Sequence, residues 1–428
     1  MVHAFARILF LLFTLAAAWT CAGEDFVTKD EFEKFRAEFE KYKAENEKLK
    51  VQHAQLTKAI ENVQASIKRA PIDSRLSTYM SPQPGITREE LDAVRSGTTK
   101  FLISGWADAG YEDRKGANST FTASFHPVFL WKINDQISFE SDFEYVTLAY
   151  HFHDLLTLEA GRFITPLGSF VRNQRPSWIN KLPDRPFVFD PADGLVPTIS
   201  VGANLGGGFN AGPTKFNWNA YVANGPSLNT FSAGKFGALE FSRAIDNNRN
   251  KAFGGRLGFF PIPELELGGS FMSARVGSKR TLQSDTDALI YAADAAYNNV
   301  FDAIKGTIDL RAEWVWSNVD DARYEIGGDE IAFNNNRRNG GYVQAAYRPS
   351  KIQHKWVKNL EVAFRYDRID QPAFHADAPD EARSQRVDRD RWSGGLNYWL
   401  GHSTVLKFAY EWDTRDQDAL LFQFAIGF

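Results

Sequence analysis

Five basic side chains fall within one short stretch of the chain: Arg162, Arg172, Arg175, Lys181 and Arg185. Fixed positive charges at such intervals do not make or break bonds. They set a local field that draws anions and repels cations. Carboxylates recur elsewhere at a spacing of two, as in Glu140, Asp142 and Glu144, or Asp309 and Glu313 with Arg311 between them. Glu361, Arg365 and Asp367 continue the pattern, as do Lys407 and Glu411. Interleaved signs on one face suit a water-lined wall with a transverse field, or a wall whose charges satisfy one another. Asp184, Asp190 and Asp193 lie beside the basic run and are placed to neutralise it.

Bond-making chemistry finds little support. His126, His151, His153, His375 and His402 have no Gly-x-Ser-x-Gly elbow to serve, so no catalytic residue is assigned. No phosphate-cradling glycine loop occurs, and no cofactor is expected. His151 and His153 stand two apart in an expected loop, a pattern too sparse to assign a metal site. Cys21 is the only cysteine. Cleavage after it would leave a mature chain with no disulfide, reactive thiol or thiolate metal site. The formal net charge of -4 argues against a nucleic-acid partner.

The elements that must carry these charges are strands. In residues 137–145, Ile137, Phe139, Phe143 and Tyr145 alternate with Glu140, Asp142 and Glu144. In residues 308–316, Leu310, Trp314 and Trp316 oppose Asp309, Arg311 and Glu313. Residues 360–366 and 406–412 repeat the theme. A strand has a side-chain period of two, so each segment has one apolar and one charged face. A soluble sandwich cannot bury the charged face. A transmembrane barrel can, with lipid outside and water inside. Aromatics make up 14% of the chain, and Trp131, Trp314, Trp316, Trp392 and Trp412 suit interfacial girdles. The chain ends on Leu420, Phe422, Phe424, Ile426 and Phe428, all on one strand face. Phe424, Ile426 and Phe428 resemble the terminal signature read by the barrel assembly machinery of bacterial outer membranes.

The N-terminal segments differ. Residues 1–23 read as a secretory signal, with His3 and Arg7 before the apolar stretch from Ile8 to Ala18 and small residues at a cleavage site. Residues 24–68 read as a periplasmic coiled coil. Its a positions are Phe32, Phe39, Asn46, His53, Ile60 and Ile67, and its d positions are Phe35, Tyr42, Leu49, Leu56 and Val63. A single amphipathic helix packed on the barrel is the competing assignment. Residues 69–97 form a linker broken by Pro71, Pro82 and Pro84. Residues 98–428 form the barrel.

Short turns are expected near Asn134, Gly212, Pro263 and His402, and longer polar loops near 225–250, 277–286, 318–337, 371–386 and 413–417. Direct counting gives about fifteen strands, whereas a barrel with both ends in the periplasm needs an even number. Taking residues 165–168 as a periplasmic turn and residues 169–178 as a rising strand restores about sixteen antiparallel strands.

The segment Gly161-Arg-Phe-Ile-Thr-Pro-Leu-Gly168 resembles the Gly-x-Phe-x-x-Pro signature of the phosphate-selective porin O and P family. Tyr221-Val-Ala-Asn-Gly-Pro226, Asp246-Asn-Asn and Gly255-Arg-Leu-Gly258 are similar to that family too. The resemblance implies a sixteen-stranded homotrimer in outer-membrane lipid, with a loop folded into each pore and a basic ladder for anions such as phosphate. The mixed wall charges point instead to general diffusion of small hydrophilic solutes. An alternative is an envelope tether, in which the coiled coil spaces the outer membrane from peptidoglycan and the barrel anchors it. An enzyme is the weakest reading.

Overall fold

The computed structural model describes residues 101–428, except 154, 192–193, 231–235, 242–245, 327–328, 375–383 and 416. The expected signal, coiled coil with its Phe32–Ile67 core, and linker lie outside the described residues.

Alternation of apolar and polar side chains produces strands along nearly the whole length. These are β1 (Phe101–Arg114), β2 (Thr120–Lys132), β3 (Ile137–Ser141), β4 (Val146–His153), β5 (Leu156–Ile164), β6 (Ile199–Ala211) and β7 (Thr214–Asn224). A small pair, β8 (Ser227–Leu228) and β9 (Leu239–Glu240), precedes β10 (Lys251–Ile262), β11 (Leu265–Arg275), β12 (Asp287–Phe301) and β13 (Gly306–Val319). A second small hairpin, β14 (Ala322–Ile326) and β15 (Asp329–Phe333), precedes β16 (Arg337–Arg348), β17 (Leu360–Phe374), β18 (Ser384–Trp399), β19 (Thr404–Asp413) and β20 (Ala419–Gly427).

Omitting the two small hairpins, sixteen antiparallel strands pair in chain order, and β20 closes on β1 with Trp106 opposite Gly427. Closure pairs the first strand with the last, so neither is left as an edge that lipid could not satisfy. The outer face carries Phe253, Leu257, Phe271, Leu289, Leu310, Val362, Phe364, Leu396, Phe408 and Phe422, all exposed. Trp131, Trp392 and Trp412 are also exposed. The inner face buries Asp309, Glu313, Glu361, Arg365, Asp367, Lys407 and Glu411.

Connections alternate in length. One end has tight turns at residues 133–136, 212–213, 263–264, 302–305 and 400–403. The other has the long segments 165–198, 225–250, 276–286 and 320–336. The expected loop over 371–386 is shorter than its sequence suggests, because β17 runs to Phe374 and β18 starts at Ser384.

Two expectations are corrected together. Residues 137–145 are not one strand. Asp142 Oδ1 accepts the N–H groups of Glu144 (2.6 Å) and Tyr145 (2.8 Å), and the Asp142 N–H donates to the Tyr145 carbonyl (2.9 Å). Asp folds the chain back on itself by bonding nearby N–H groups, which turns the alternating run into the β3–β4 hairpin. That hairpin supplies the strand that parity demands. Residues 169–178 are therefore not a strand, and residues 165–168 are not a periplasmic turn. A third correction concerns His151 and His153, which lie in β4 rather than in a loop. His151 bonds Ser138 Oγ (2.9 Å) and Thr157 Oγ1 (3.0 Å).

Because β3 is short, it pairs with β2 only over Phe129–Lys132. From Thr120 to Val128, β2 has β1 alone as a strand partner. The wall is low on this side. Phe121 (83% exposed), Phe125 (57%) and Phe143 (70%) stand on it.

Candidate functional site

Between β5 and β6 the chain leaves the wall and enters the lumen. The Thr165 N–H donates to the Thr198 carbonyl (3.1 Å), and Thr165 Oγ1 bonds Ser200 Oγ (2.8 Å), which closes the neck of the insertion. Gly168 has φ +74°, a left-handed conformation that glycine adopts without strain. A Cβ there would run into the Glu313 carboxylate. The glycine thus lets the loop close onto β13. The Glu313 carboxylate accepts the N–H of Ser169 (3.1 Å), the N–H of Phe170 (3.1 Å) and the Ser169 hydroxyl (3.2 Å). These groups open the single-turn helix α1 (Phe170–Gln174). Gln174 at its end donates to Tyr342 Oη (3.1 Å) and accepts from Gln344 (3.3 Å) on β16.

One side of the loop is apolar. Leu167, Phe170, Val171, Val188, Phe189, Leu195 and Val196 are buried against Phe163, Tyr221, Met272, Ile290, Val315, Tyr342 and Ile369 of the wall. Phe170 stacks on Phe189 with centroids 5.0 Å apart, and both meet the Tyr342 ring edge-on, at 5.8 and 6.3 Å. Each such residue contributes roughly 1.5–3 kcal/mol by leaving water. Inward-facing glycines make room: a Cβ on Gly340 would meet Val188, one on Gly395 would meet Leu182, and one on Gly427 would meet Trp178.

The other side of the loop is charged, and the wall answers Arg175, Lys181 and Asp184. Arg175 donates to Asp142 Oδ2 (2.8 Å) and Glu144 Oε2 (2.7 Å), both in the β3–β4 turn. Its guanidinium also lies 5.2 Å from the Trp106 ring centroid and 5.3 Å from that of Tyr145. Lys181 pairs with Glu361 of β17 (2.8 Å), and Asn397 holds both the Lys181 carbonyl (2.9 Å) and Glu361 (3.0 Å). Lys407 of β19 donates to the carbonyls of Ser177, Asn180 (2.6 Å) and Leu182 (3.5 Å). Asp184 takes charge-assisted bonds from Arg365 and from Arg391 (2.6 Å). Arg365 also bonds Asp367 (2.8 Å), and Arg391 donates to the Arg185 carbonyl (2.7 Å). Arg389 and Arg391 stack over Phe187, at 4.5 and 4.2 Å. Buried ion pairs roughly break even against desolvation, so the apolar face stabilises the loop while the pairs fix its register.

Burial pushes the Asp184 carboxyl up, but Arg365 and Arg391 outweigh it and hold the group below its ordinary value. Burial and Arg175 act on Glu144 in the same opposing way, with the same net lowering. Both values are depressed, so these ties are fully formed at neutral pH. They weaken as the pH falls through the lowered values.

The sequence-predicted residues divide accordingly. Arg175 and Lys181 are in the lumen but paired with acids. Arg172 donates to Asn219 Oδ1 (3.0 Å). Arg185 is half-buried, and its guanidinium forms no hydrogen bond or ion pair among the described residues; Glu144, Arg175, Asp190 and Asp108 act on it electrostatically. Arg162 is corrected outright. Glu159 and Phe163 of β5 are buried inward, so the period of two sends Arg162 outward, level with exposed Val146 and with Val201. Among the wall acids, Glu140 accepts the Tyr145 hydroxyl and Asp309 pairs with Arg311 (2.8 Å). Glu411 lies 3.6 Å from both Arg391 and Arg114. Most predicted lining charges thus hold the loop or each other. Arg389, Arg391, Tyr342 and Gln174 were not singled out. The alternation in residues 386–391 carried a signal for the two arginines; nothing local marked Gln174.

A closed barrel with an apolar exterior, a charged interior and a loop stitched into its lumen defines a porin, an outer-membrane channel. Residues 131–419, well over half of the chain, match the family model for phosphate-selective porin O and P, and the chain belongs to that family. Similar folds occur in the OmpF porin of Salmonella typhi, solved with daunomycin (11% identity, 77% of this chain and 97% of that one, TM-score 0.49). An anion-selective porin of Comamonas acidovorans is also similar (12% identity, 77% and 99%, TM-score 0.47). So is the outer-membrane channel DcaP of Acinetobacter baumannii (14% identity, 77% and 97%, TM-score 0.46). Comparison with curated protein sequences found no match.

Proposed function

We propose that this outer-membrane channel passes small hydrophilic solutes and ions by diffusion, with at most a weak preference for anions, and that residues 165–198 form its constriction. The reading carries no catalytic role. Its single support is the pairing of the loop: of the five basic residues in the 162–185 run, Arg162 faces out, Arg172 donates to Asn219, Arg175 and Lys181 are matched by carboxylates, and among the described residues only the Arg185 guanidinium forms no hydrogen bond or ion pair. One unpaired cation does not make a ladder for phosphate. The test is the reversal potential under a salt gradient in planar bilayers. Arg185→Glu is expected to move the permeability ratio toward cations by roughly two- to fivefold, the size of a screened charge reversal at about one Debye length. Arg162→Glu is expected to leave the ratio unchanged. A strong anion preference that survives Arg185→Glu would overturn the proposal.

We also propose a homotrimer that meets across the low wall. An unpaired strand edge at membrane depth must be covered by protein. β2 from Thr120 to Val128 is such an edge, and Phe121, Phe125 and Phe143 surround it. Phe121→Lys combined with Phe125→Lys is expected to yield folded single barrels by light scattering in detergent. Trimers from that variant would exclude this face. The heptad in residues 24–68 extends into the periplasm in this reading and adds to the same association.

A further inference from the structure

The tight-turn end of the barrel has one exception, the connection from Pro349 to Asn359 between β16 and β17. It contains a single turn of helix, α2 (Lys355–Lys358), with no buried residue. Trp356 is 67% exposed, and Val357 is exposed beside it. A large aromatic left in water is costly, and here its placement is specific. The Trp356 ring stacks on Tyr398, with centroids 5.7 Å apart. Asn397 and Trp399 are buried inward, so Tyr398 lies on the outer face, directly beyond exposed Leu396 and Val362. Trp356 therefore extends the lipid-facing surface at its periplasmic margin. Val300, Ile304 and Leu400 are exposed around the same end.

The charge here has one sign. Residues 349–359 hold Lys351, His354, Lys355 and Lys358 and no acid. Lys351 is taken up by Asp302. Lys305 lies in the adjacent turn, whose carbonyl accepts the Lys351 N–H (3.0 Å). Among the described residues, the side chains of Lys305, Lys355 and Lys358 form no ion pair. An aromatic at headgroup depth flanked by unpaired lysines matches an anionic lipid surface, apolar on one side and negative on the other.

We propose that Pro349–Asn359 is an interfacial anchor, which seats Trp356 at the headgroup level of the periplasmic leaflet and recruits anionic phospholipid through Lys305, Lys355 and Lys358. The surface is separate from the lumen and does not depend on what the channel passes. The test uses the full-length protein in bilayers of zwitterionic lipid containing either brominated phosphatidylglycerol or brominated phosphatidylethanolamine at the same fraction. The contribution of Trp356 is the fluorescence difference between the wild type and Trp356→Phe. It is expected to be quenched by both lipids and more strongly by the anionic one. The preference is expected to fall roughly fivefold for each lysine removed in Lys355→Gln and Lys358→Gln. Retention of a heat-modifiable folded band on gels confirms that each variant is a barrel. Equal quenching by the two lipids, or a preference that survives both lysine changes, would overturn the charge recognition. No quenching by either lipid would place Trp356 away from the membrane, against water or a cell-wall polymer, and overturn the anchor.

Discussion

Arg365→Ala weakens the seating of the lumen loop by about 3–5 kcal/mol, because it strands buried acids without their cation. Arg365 is fully buried and bonds both Asp184 on the loop and Asp367 on its own strand. Removing it leaves Arg391 to serve Asp184, Asp367 and Glu411. The barrel itself should persist, since its ladder does not use this side chain. The expected result is a folded barrel whose loop is cut by protease at residues 177–186 and whose single-channel openings are larger and noisier. Removing the charges together, Arg365→Met with Asp184→Asn and Asp367→Asn, should recover much of the wild-type trace. An intact, protease-resistant loop in Arg365→Ala would show that the pair is not what holds it.

Phe170→Ala or Phe189→Ala acts on the other face of the same loop, with a comparable loss of about 3–5 kcal/mol. Both rings are buried, stack on one another and share the Tyr342 ring. The measurement is the temperature at which heat-modifiable mobility is lost, with loop proteolysis as the local readout. A double-mutant cycle between position 170 and Tyr342→Leu should give a coupling of about 0.5–1.5 kcal/mol, as expected for an edge-on aromatic pair. No coupling would mean that the loop is not packed on β16.

The barrel was legible because a strand forces a period of two, and lipid outside with polar groups inside enforces it over many segments. The inward acids of β13, β17 and β19 were readable for that reason. The β3–β4 turn was not, because Asp142-Phe-Glu-Tyr145 satisfies strand alternation as well as it satisfies an Asp-led turn. Arg162 was misplaced because the expectation of an apolar exterior fails where the lumen is packed. On β5 the buried aromatic Phe163 faces in, toward Tyr221, and the arginine faces out. The basic run was only half legible: reading residues 169–178 as a strand put Arg172 and Arg175 in the wall, whereas the structure has them in the segment between β5 and β6. Its neutralisation was expected from the neighbouring Asp184, but Arg175 and Lys181 are matched by acids of the β3–β4 turn and β17, and Asp184 is taken by Arg365 of β17 and Arg391 of β18, all far apart in sequence. Only closure of the barrel brings them to the loop.

In the proposed channel residues 165–198 line the current path and position 185 faces it. Cys21 is the only cysteine in the chain, so Arg185→Cys combined with Cys21→Ser gives a single reporter thiol. The measurement is single-channel conductance in planar bilayers before and after a bulky methanethiosulfonate reagent is added. Conductance is predicted to fall in discrete steps as each subunit is labelled. Complete labelling with unchanged conductance would contradict the account.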